Sequence, residues 1–201
     1  MPNFYIHKCK TLFAIIIIQY RTLCFRGLKL LNLHNMKAAK GVKIVQRISA
    51  QGRGTIEVGK ESQLGVYPSP GFKRGEFYLE ARNATAQILI GENVFINNDC
   101  VIIADKSIIE IGDYTLIGPS FFCVDSDFHP LDPTQRLTTN YNCQSVKIGR
   151  NVFIGARVTI LKGVNIGDDA VIAAGSMVIK DVPSGVVFAG NPGKVVRYSI
   201  T

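Results

Sequence analysis

The sequence predicts an all-β fold, a single-stranded parallel β-helix, from its repeat, its turn residues and its composition. Aliphatic residues recur at every sixth position of the C-terminal third, at Ile148, Ile154, Ile160, Ile166, Ile172 and Val178. Many of the residues between them are Gly, Asn or Asp, which favour turns. The chain has 19 Gly and no Trp, and it is 47% hydrophobic but only 19% charged. This balance excludes a disordered chain and suits short strands joined by tight turns.

The six-residue period fits neither an α-helix, with about 3.6 residues per turn, nor an alternating strand. Each hexapeptide makes one short strand and one turn, so three of them close a triangular coil of about 18 residues. The next coil stacks on it about 4.8 Å away. The repeating aliphatic side chain points into the prism. Gly, Asn or Asp fills the corner, where left-handed backbone angles are common.

A length of 201 residues favours one domain, preceded by a distinct segment. We expect residues 1–43 to form a basic segment, helical over 11–31, and residues 44–198 to form the β-helix. The six-residue frame appears earlier, with one shift of three positions, at Ile90, Ile96, Ile102, Ile111 and Ile117. Less regular coils are expected nearer the N-terminus, at Ile44, Ile48, Ile56 and Leu64. Residues 125–147 break the frame and are rich in Pro, Thr and Asn, so we expect a protruding functional loop.

The excess positive charge belongs to the N-terminal segment. Residues 1–56 contain ten Lys and Arg and no acid, whereas residues 57–201 contain 13 basic and 15 acidic residues. The basic residues lie beside the apolar run Leu12–Ile18 rather than among aromatics, so we expect no nucleic-acid binding. The run is much shorter than the about 20 apolar residues of a membrane span. The helix over 11–31 therefore either packs on the end of the domain or attaches peripherally to an anionic membrane surface.

The cysteines indicate the compartment. There are five, an odd number, with no CxxC pair and no metal-ligand spacing. We expect free thiols, no disulfide framework and no metal. A cytoplasmic location follows from this, with or without membrane association.

Two pairs of motifs carry a specific resemblance. His129–Pro133 is followed, 14 residues later, by Ile148–Gly155, and Asp181–Pro183 is followed by Ala189–Val195. These motifs resemble those of the hexapeptide-repeat acyltransferases, in particular the maltose and galactoside O-acetyltransferase family. The resemblance covers roughly residues 88–198.

The block Asp125–Pro130 looks like the branch of that family found in capsule, O-antigen and exopolysaccharide pathways. Residues 1–55 depart from the helical region of maltose acetyltransferases. The resemblance implies a left-handed β-helix, a homotrimer, and direct transfer of acetyl from acetyl-CoA to a sugar hydroxyl without a metal. It also implies a saccharide or other small-molecule acceptor, and a site in which His129 of one subunit faces CoA held in the cleft with its neighbour.

His129 matches the family's general base, which removes the proton of the acceptor hydroxyl in the transition state. The other histidines, His7 and His34, lie in the basic segment. The second ring nitrogen of His129 needs an acceptor that fixes the tautomer. The candidates are a backbone carbonyl, Asp125, Asp127 and Asp132.

Asn97 matches the family's active-site Asn, which contacts the acceptor or the tetrahedral intermediate. An amide donor suits the charge that develops on the oxyanion. Asn98 is the equivalent residue if the register slips by one position.

The remaining matches are to the family's CoA-binding residues, and they are Ala156, Ala174, Ile179, Lys180, Lys194 and Arg197. The two alanines match small residues that line the pantetheine arm. Ile179 departs from a Thr-Lys pair, so a hydroxyl contact is lost there. The last two cations match residues that meet the CoA phosphates. Lys at 194 in place of Arg keeps the charge without the bidentate geometry.

Other functions remain open at this point. N-acetylation of an amino sugar is the first alternative, because the same base and groove serve it. A streptogramin-type antibiotic acetyltransferase and a serine acetyltransferase follow. A non-enzymatic solenoid has no need for the His129 loop or the Asn191–Gly193 tail. A carbonic anhydrase of the γ class needs three zinc histidines, and only His129 lies within the coils.

Overall fold

The computed structural model describes residues 2–30 and 35–198, and within them it contains one helix and 20 short strands. The elements are α1 (Pro2–Leu30), β1 (Met36–Ala38), β2 (Lys43–Ile44), β3 (Ile48–Gly52), β4 (Thr55–Val58), β5 (Gln63–Leu64), β6 (Phe77–Ala81), β7 (Gln87–Ile90), β8 (Phe95–Ile96), β9 (Val101–Ala104), β10 (Ile108–Ile111), β11 (Leu116–Ile117), β12 (Phe122–Val124), β13 (Val146–Ile148), β14 (Phe153–Ile154), β15 (Thr159–Ile160), β16 (Asn165–Ile166), β17 (Val171–Ile172), β18 (Met177–Val178), β19 (Val187–Gly190) and β20 (Gly193–Arg197).

The strands form the three faces of a triangular prism. Face A contains β1, β4, β7, β10, β13 and β16, and face C contains β3, β6, β9, β12, β15 and β18. Face B contains β2, β5, β8, β11, β14 and β17, and it ends with β19 and β20. From β1 to β18 the chain visits the faces in the order A, B, C, so each coil contributes one strand to each face. The strands pair in parallel except β19 and β20, which form an antiparallel hairpin.

The repeating aliphatic residues form the core, as the sequence predicts. Ile148 pairs with Ile166, and Ile154 with Ile172, each 18 residues apart. All six members of the C-terminal repeat are at most 1% exposed. Each strand buries one side chain inside the prism, and stacking of like residues in successive coils removes these side chains from water.

The corners take left-handed backbone angles at a spacing of six. Positive φ angles occur at Asn151, Arg157, Gly163, Asp169 and Gly175. Asn, Asp and Gly adopt this conformation at low cost, which explains their recurrence in the sequence. Arg157 is the departure from the expected residue types.

The shift of three in the six-residue frame has a structural cause. Ile90 pairs with Ile111, 21 residues later, because the corner after β9 is longer than the others. The backbone N–H groups of Asp105–Ser107 donate to the carboxylate of Asp125 at 2.7–3.2 Å. The buried Asp125 therefore holds this corner in place.

The first coil begins at Met36, earlier than the residue 44 that the aliphatic frame indicates. Met36 and Val42 are buried and fill the interior where no hexad of Ile is recognisable. Helix α1 is also longer than the expected 11–31. Phe25 at its C-terminal part joins the main core and closes the open end of the prism.

Polar contacts fix helix α1 on the first coil. The Arg21 guanidinium donates to the Val45 carbonyl at 2.6 Å, and the Thr22 hydroxyl accepts from the Ile44 N–H at 3.3 Å. Ala14 packs with Val45. No helix within residues 2–30 and 35–198 combines the length and the apolar character that crossing a membrane requires.

Candidate active site

The loop that breaks the repeat joins β12 on face C to β13 on face A, and residues 131–140 are all exposed. We call the corner between these faces the C–A edge. Side chains at this edge hold the base of the loop: Asp127 pairs with Lys162 at 3.2 Å, and Lys106 lies 3.7 Å from the centre of the Tyr141 ring. Hydrogen bonding to Asp105, with burial, raises the pKa of Tyr141 to about 12, so this phenol stays protonated.

His129 is exposed on this loop, and its orientation is fixed by one hydrogen bond. The Nδ1 atom lies 2.8 Å from the carbonyl oxygen of Arg136. A carbonyl only accepts, so Nδ1 carries the hydrogen and Nε2 of the neutral ring keeps its lone pair. This arrangement leaves Nε2 available as a base.

The three aspartates that could have oriented His129 have other partners. Asp125 binds the corner after β9, and Asp127 pairs with Lys162. The Asp132 carboxylate accepts from the N–H and the hydroxyl of Thr134, which lowers its pKa. Of the four candidates that the sequence left open, the backbone carbonyl is the one that contacts the imidazole. Sequence reasoning offers no signal for Arg136, because only its main chain is used.

Asn97 and Asn98 lie at a different corner, between β8 on face B and β9 on face C, which we call the B–C edge. Asn98 is fully buried, accepts from the Val66 N–H at 2.9 Å, and donates to the Val66 and Pro70 carbonyls at 3.0 and 2.7 Å. Asn97 is half-buried, and its Oδ1 accepts from the Ser69 hydroxyl at 2.8 Å. Among the described residues, its Nδ2 group donates no hydrogen bond. Asn97 is therefore the amide free to bind a ligand.

Small residues continue the B–C edge below Asn97. Backbone hydrogen bonds of 2.8–2.9 Å connect the successive coils here, from Asn97 N to Ile117 O, from Gly118 N to Ile154 O, from Gly155 N to Ile172 O and from Ala173 N to Phe188 O. Ala156 and Ala174 thus lie one above the other on this edge. Lys194 pairs with Ala189, one strand further. At about 4.8 Å per step, Asn97 and Lys194 lie roughly 24 Å apart along the edge.

Three cations flank the lower part of this edge. Lys194 and Arg197 are exposed on β20, about 10 Å apart at the usual rise of a strand. Arg157 is exposed at the corner next to Ala156, and sequence reasoning missed it because it occupies a corner position. None of the three forms an ion pair within the part of the chain that the structure describes.

Ile179 and Lys180 do not join the alanines. They follow β18 on face C and therefore lie at the C–A edge, the edge that carries His129. The predicted site residues thus divide between two edges on either side of face C. One six-residue repeat separates these edges, at most roughly 20 Å of extended chain. Within the described residues, no hydrogen bond or ion pair joins the His129 loop to Asn97, Ala156 or Ala174.

A cavity of about 350 Å³ lies beside Asn97, lined by Tyr67–Ser69 and Gly71–Arg74. A larger groove of about 640 Å³ runs along face A and contains none of the predicted site residues. Burial raises the pKa of the nearby Cys100 thiol to about 12, which excludes it as a nucleophile at neutral pH. Within residues 2–30 and 35–198, no group of His, Cys, Asp and Glu is arranged to hold a metal ion.

Comparison with known proteins identifies the class. Residues 145–180 match the model described as a hexapeptide repeat of succinyl-transferase. The galactoside O-acetyltransferase of Escherichia coli is 40% identical over 112 residues, 56% of this chain and 54% of that protein. A Saccharomyces cerevisiae protein named as a candidate acetyltransferase, YJL218W, is 46% identical over 112 residues, 56% of each chain. The chain spans about half the length of the curated relatives it matches.

Solved structures agree on the fold. AntD, an N-acyltransferase from Bacillus cereus in complex with dTDP and coenzyme A, aligns with a TM-score of 0.66 at 19% identity, over 87% of this chain and 88% of that one. A hexapeptide-repeat-containing acetyltransferase from Vibrio cholerae aligns with a TM-score of 0.51 at 25% identity, over 85% and 76%. The predicted fold, a left-handed parallel β-helix, is confirmed. The chain is a hexapeptide-repeat protein with homologues among the galactoside O-acetyltransferases.

Proposed function

We propose that the protein is an acetyl-CoA-dependent O-acetyltransferase that acts on a sugar hydroxyl, in surface polysaccharide biosynthesis, with His129 as the general base. The observation that carries this proposal is the bond from His129 Nδ1 to the Arg136 carbonyl, which leaves Nε2 with its lone pair outside the loop. A positioned imidazole of this kind typically contributes about 10²–10⁴-fold to the rate.

The reaction follows from the groups available. Nε2 of His129 removes the proton of the acceptor hydroxyl as its oxygen attacks the thioester carbonyl of acetyl-CoA. The carbonyl oxygen becomes an oxyanion in the tetrahedral intermediate, and the Asn97 Nδ2 group donates to it. The intermediate collapses with cleavage of the C–S bond, and the CoA thiolate takes the proton from the imidazolium. The products are the acetyl ester and CoA.

The B–C edge supplies a groove for CoA. Ala156 and Ala174 leave room for the pantetheine arm to lie against the coils, where backbone amides are within reach. Lys194 and Arg197, with Arg157 beside them, meet the phosphates at the end remote from Asn97. Charge-assisted contacts to phosphate suit these exposed, unpaired cations.

Residues 67–74 supply the acceptor site. Their cavity adjoins Asn97 through the Ser69 hydroxyl, and the Tyr67 and Phe72 rings pack 4.8 Å apart at its wall. Aromatic surface beside hydroxyl and amide groups suits the apolar face and the hydroxyls of a sugar ring.

The complete site requires more than one copy of the chain. His129 and Lys180 lie at the C–A edge, whereas Asn97, Ala156 and Lys194 belong to the B–C edge. A cyclic homotrimer brings the C–A edge of one subunit against the B–C edge of the next at each of three equivalent clefts. The exposed loop 125–145 then reaches across the cleft, so that His129 faces CoA held by the neighbour.

The test is acetyl transfer to a panel of acceptors, followed as release of the CoA thiol and by the mass of the product. The panel contains oligosaccharides, nucleotide sugars, lipid-linked sugars and their amino-sugar counterparts. We expect ester formation on a hydroxyl sugar, and at least about a 10²-fold lower kcat for His129→Ala, with unchanged thermal unfolding because the side chain is exposed. Amide formation on amino sugars alone would replace the O-acetylation proposal, and near-normal transfer by His129→Ala would remove His129 from the mechanism.

A further inference from the structure

Helix α1 presents an apolar stripe to solvent. Its members are exposed by 55–71%, and they are Leu12, Phe13, Ile16, Tyr20 and Leu23. Their spacing puts them on one side of the helix, since residues three and four apart lie on the same face. An exposed apolar surface of this kind, on a helix that already packs with its other side, marks an interaction site.

The helix cannot turn this stripe inward. The opposite side carries Ala14, which packs with Val45 and Phe72, and Phe25, which is part of the main core. The Arg21 guanidinium donates to the carbonyls of Val45 and Phe72 and lies 4.9 Å from the centre of the Phe72 ring. Rotation would break these bonds and open the end of the prism. The stripe therefore faces outward in the folded protein.

Charge identifies the partner. The first 56 residues contain ten Lys and Arg and no acid, so the stripe belongs to the one part of the chain that is strongly positive. Lys40 and Lys43, in the first coil beside the helix, are exposed and form no ion pair within the described residues. A second copy packed stripe to stripe would bring two such segments together and would be repelled. An anionic lipid surface attracts the cations and accepts the apolar side chains.

We infer that the outer face of α1 lies in the interface of an anionic lipid bilayer, with the helix parallel to the membrane surface. This inference does not depend on the acetyl-transfer activity. It has a consequence for the site, however, because Phe72, which Arg21 contacts, also lines the cavity beside Asn97. Membrane binding through α1 would hold that cavity close to the bilayer, where a lipid-borne acceptor is found. In a cyclic trimer, three helices lie at the same end and bind one surface together.

The experiment is co-sedimentation of the full chain with vesicles of phosphatidylcholine alone or of phosphatidylcholine with phosphatidylglycerol. We expect binding to the anionic vesicles at least about tenfold stronger than to the neutral ones, and weaker binding as salt rises. The variant Leu12→Ser/Ile16→Ser/Leu23→Ser should lose the binding. The matched control, Val196→Ser/Tyr198→Ser, changes exposed apolar residues near the other end of the prism and should bind normally.

Thermal unfolding and sedimentation velocity of each variant separate lipid binding from folding and assembly. We expect both to be unchanged in the stripe variant, since its side chains are exposed. Equal binding to the two kinds of vesicle, normal binding by the stripe variant, or no binding of the wild-type protein would each overturn the inference. Loss of a higher oligomer in the stripe variant, without lipid binding by the wild type, would assign the stripe to a second copy instead.

Discussion

The B–C edge and the C–A edge flank the same face of the prism but are built in different ways. The B–C edge below Asn97 is regular: Gly118, Ala156 and Ala174 follow one another coil by coil, with small side chains and backbone amides at each step. The C–A edge is interrupted by the long corner at Asp105–Ser107 and by the loop that carries His129. A regular edge makes a groove for a long, thin ligand, whereas an interruption puts a reactive side chain outside the coils. The proposed enzyme needs both.

The adjacent amides at the B–C edge distinguish a structural role from a binding role. Asn98→Ala leaves the Val66 N–H and two buried carbonyls without partners, so we expect it to lower the free energy of unfolding by about 2–4 kcal/mol. Asn97→Ala should change it by less than about 1 kcal/mol and instead reduce kcat, because its Nδ2 group has no structural partner. Denaturant unfolding and initial rates measure the two effects. Loss of stability in Asn97→Ala with normal activity would exchange the roles.

The cations of the two edges offer a second, smaller test. The double variant Lys194→Ala/Arg197→Ala should raise the KM for acetyl-CoA about tenfold and leave kcat nearly unchanged, since phosphate contacts are similar in the ground and transition states. Lys180→Ala, on the other edge, is the matched single-charge comparison. The same measurement with desphospho-CoA esters should show a smaller difference between wild type and variant. An unchanged KM in the double variant would put the CoA phosphates elsewhere.

The sequence predicts the regular part of the molecule well for a physical reason. A six-residue period leaves one way to bury every Ile, so the interior pairs such as Ile148 with Ile166 follow from spacing alone. Turn residues mark the corners, and Arg157 escaped notice because its corner angle is set by the neighbouring coils and not by its own preference. The first coil was also hidden, since Met36 and Val42 replace the Ile frame there.

The details of the candidate site were less accessible from sequence. The acceptor for the His129 ring is a main-chain oxygen, which any residue could provide. The division of the motif residues between two edges depends on counting strands across a coil and a loop of irregular length. Ser69, the partner of Asn97, comes from a loop 28 residues earlier that matches no repeat. Three-dimensional contacts of this kind leave no periodic signal.

The central claim is that one site is assembled from the C–A edge of one subunit and the B–C edge of the next, and subunit mixing tests it most directly. His129→Ala and Lys194→Ala/Arg197→Ala chains are co-refolded in equal amounts and assayed at low acetyl-CoA, beside each variant refolded alone. Random assortment in a trimer gives about one site in four with both wild-type edges, so the account predicts recovery of up to roughly a quarter of wild-type activity. Activity no higher than the mean of the two parent variants, or an active monomer in sedimentation, would contradict it.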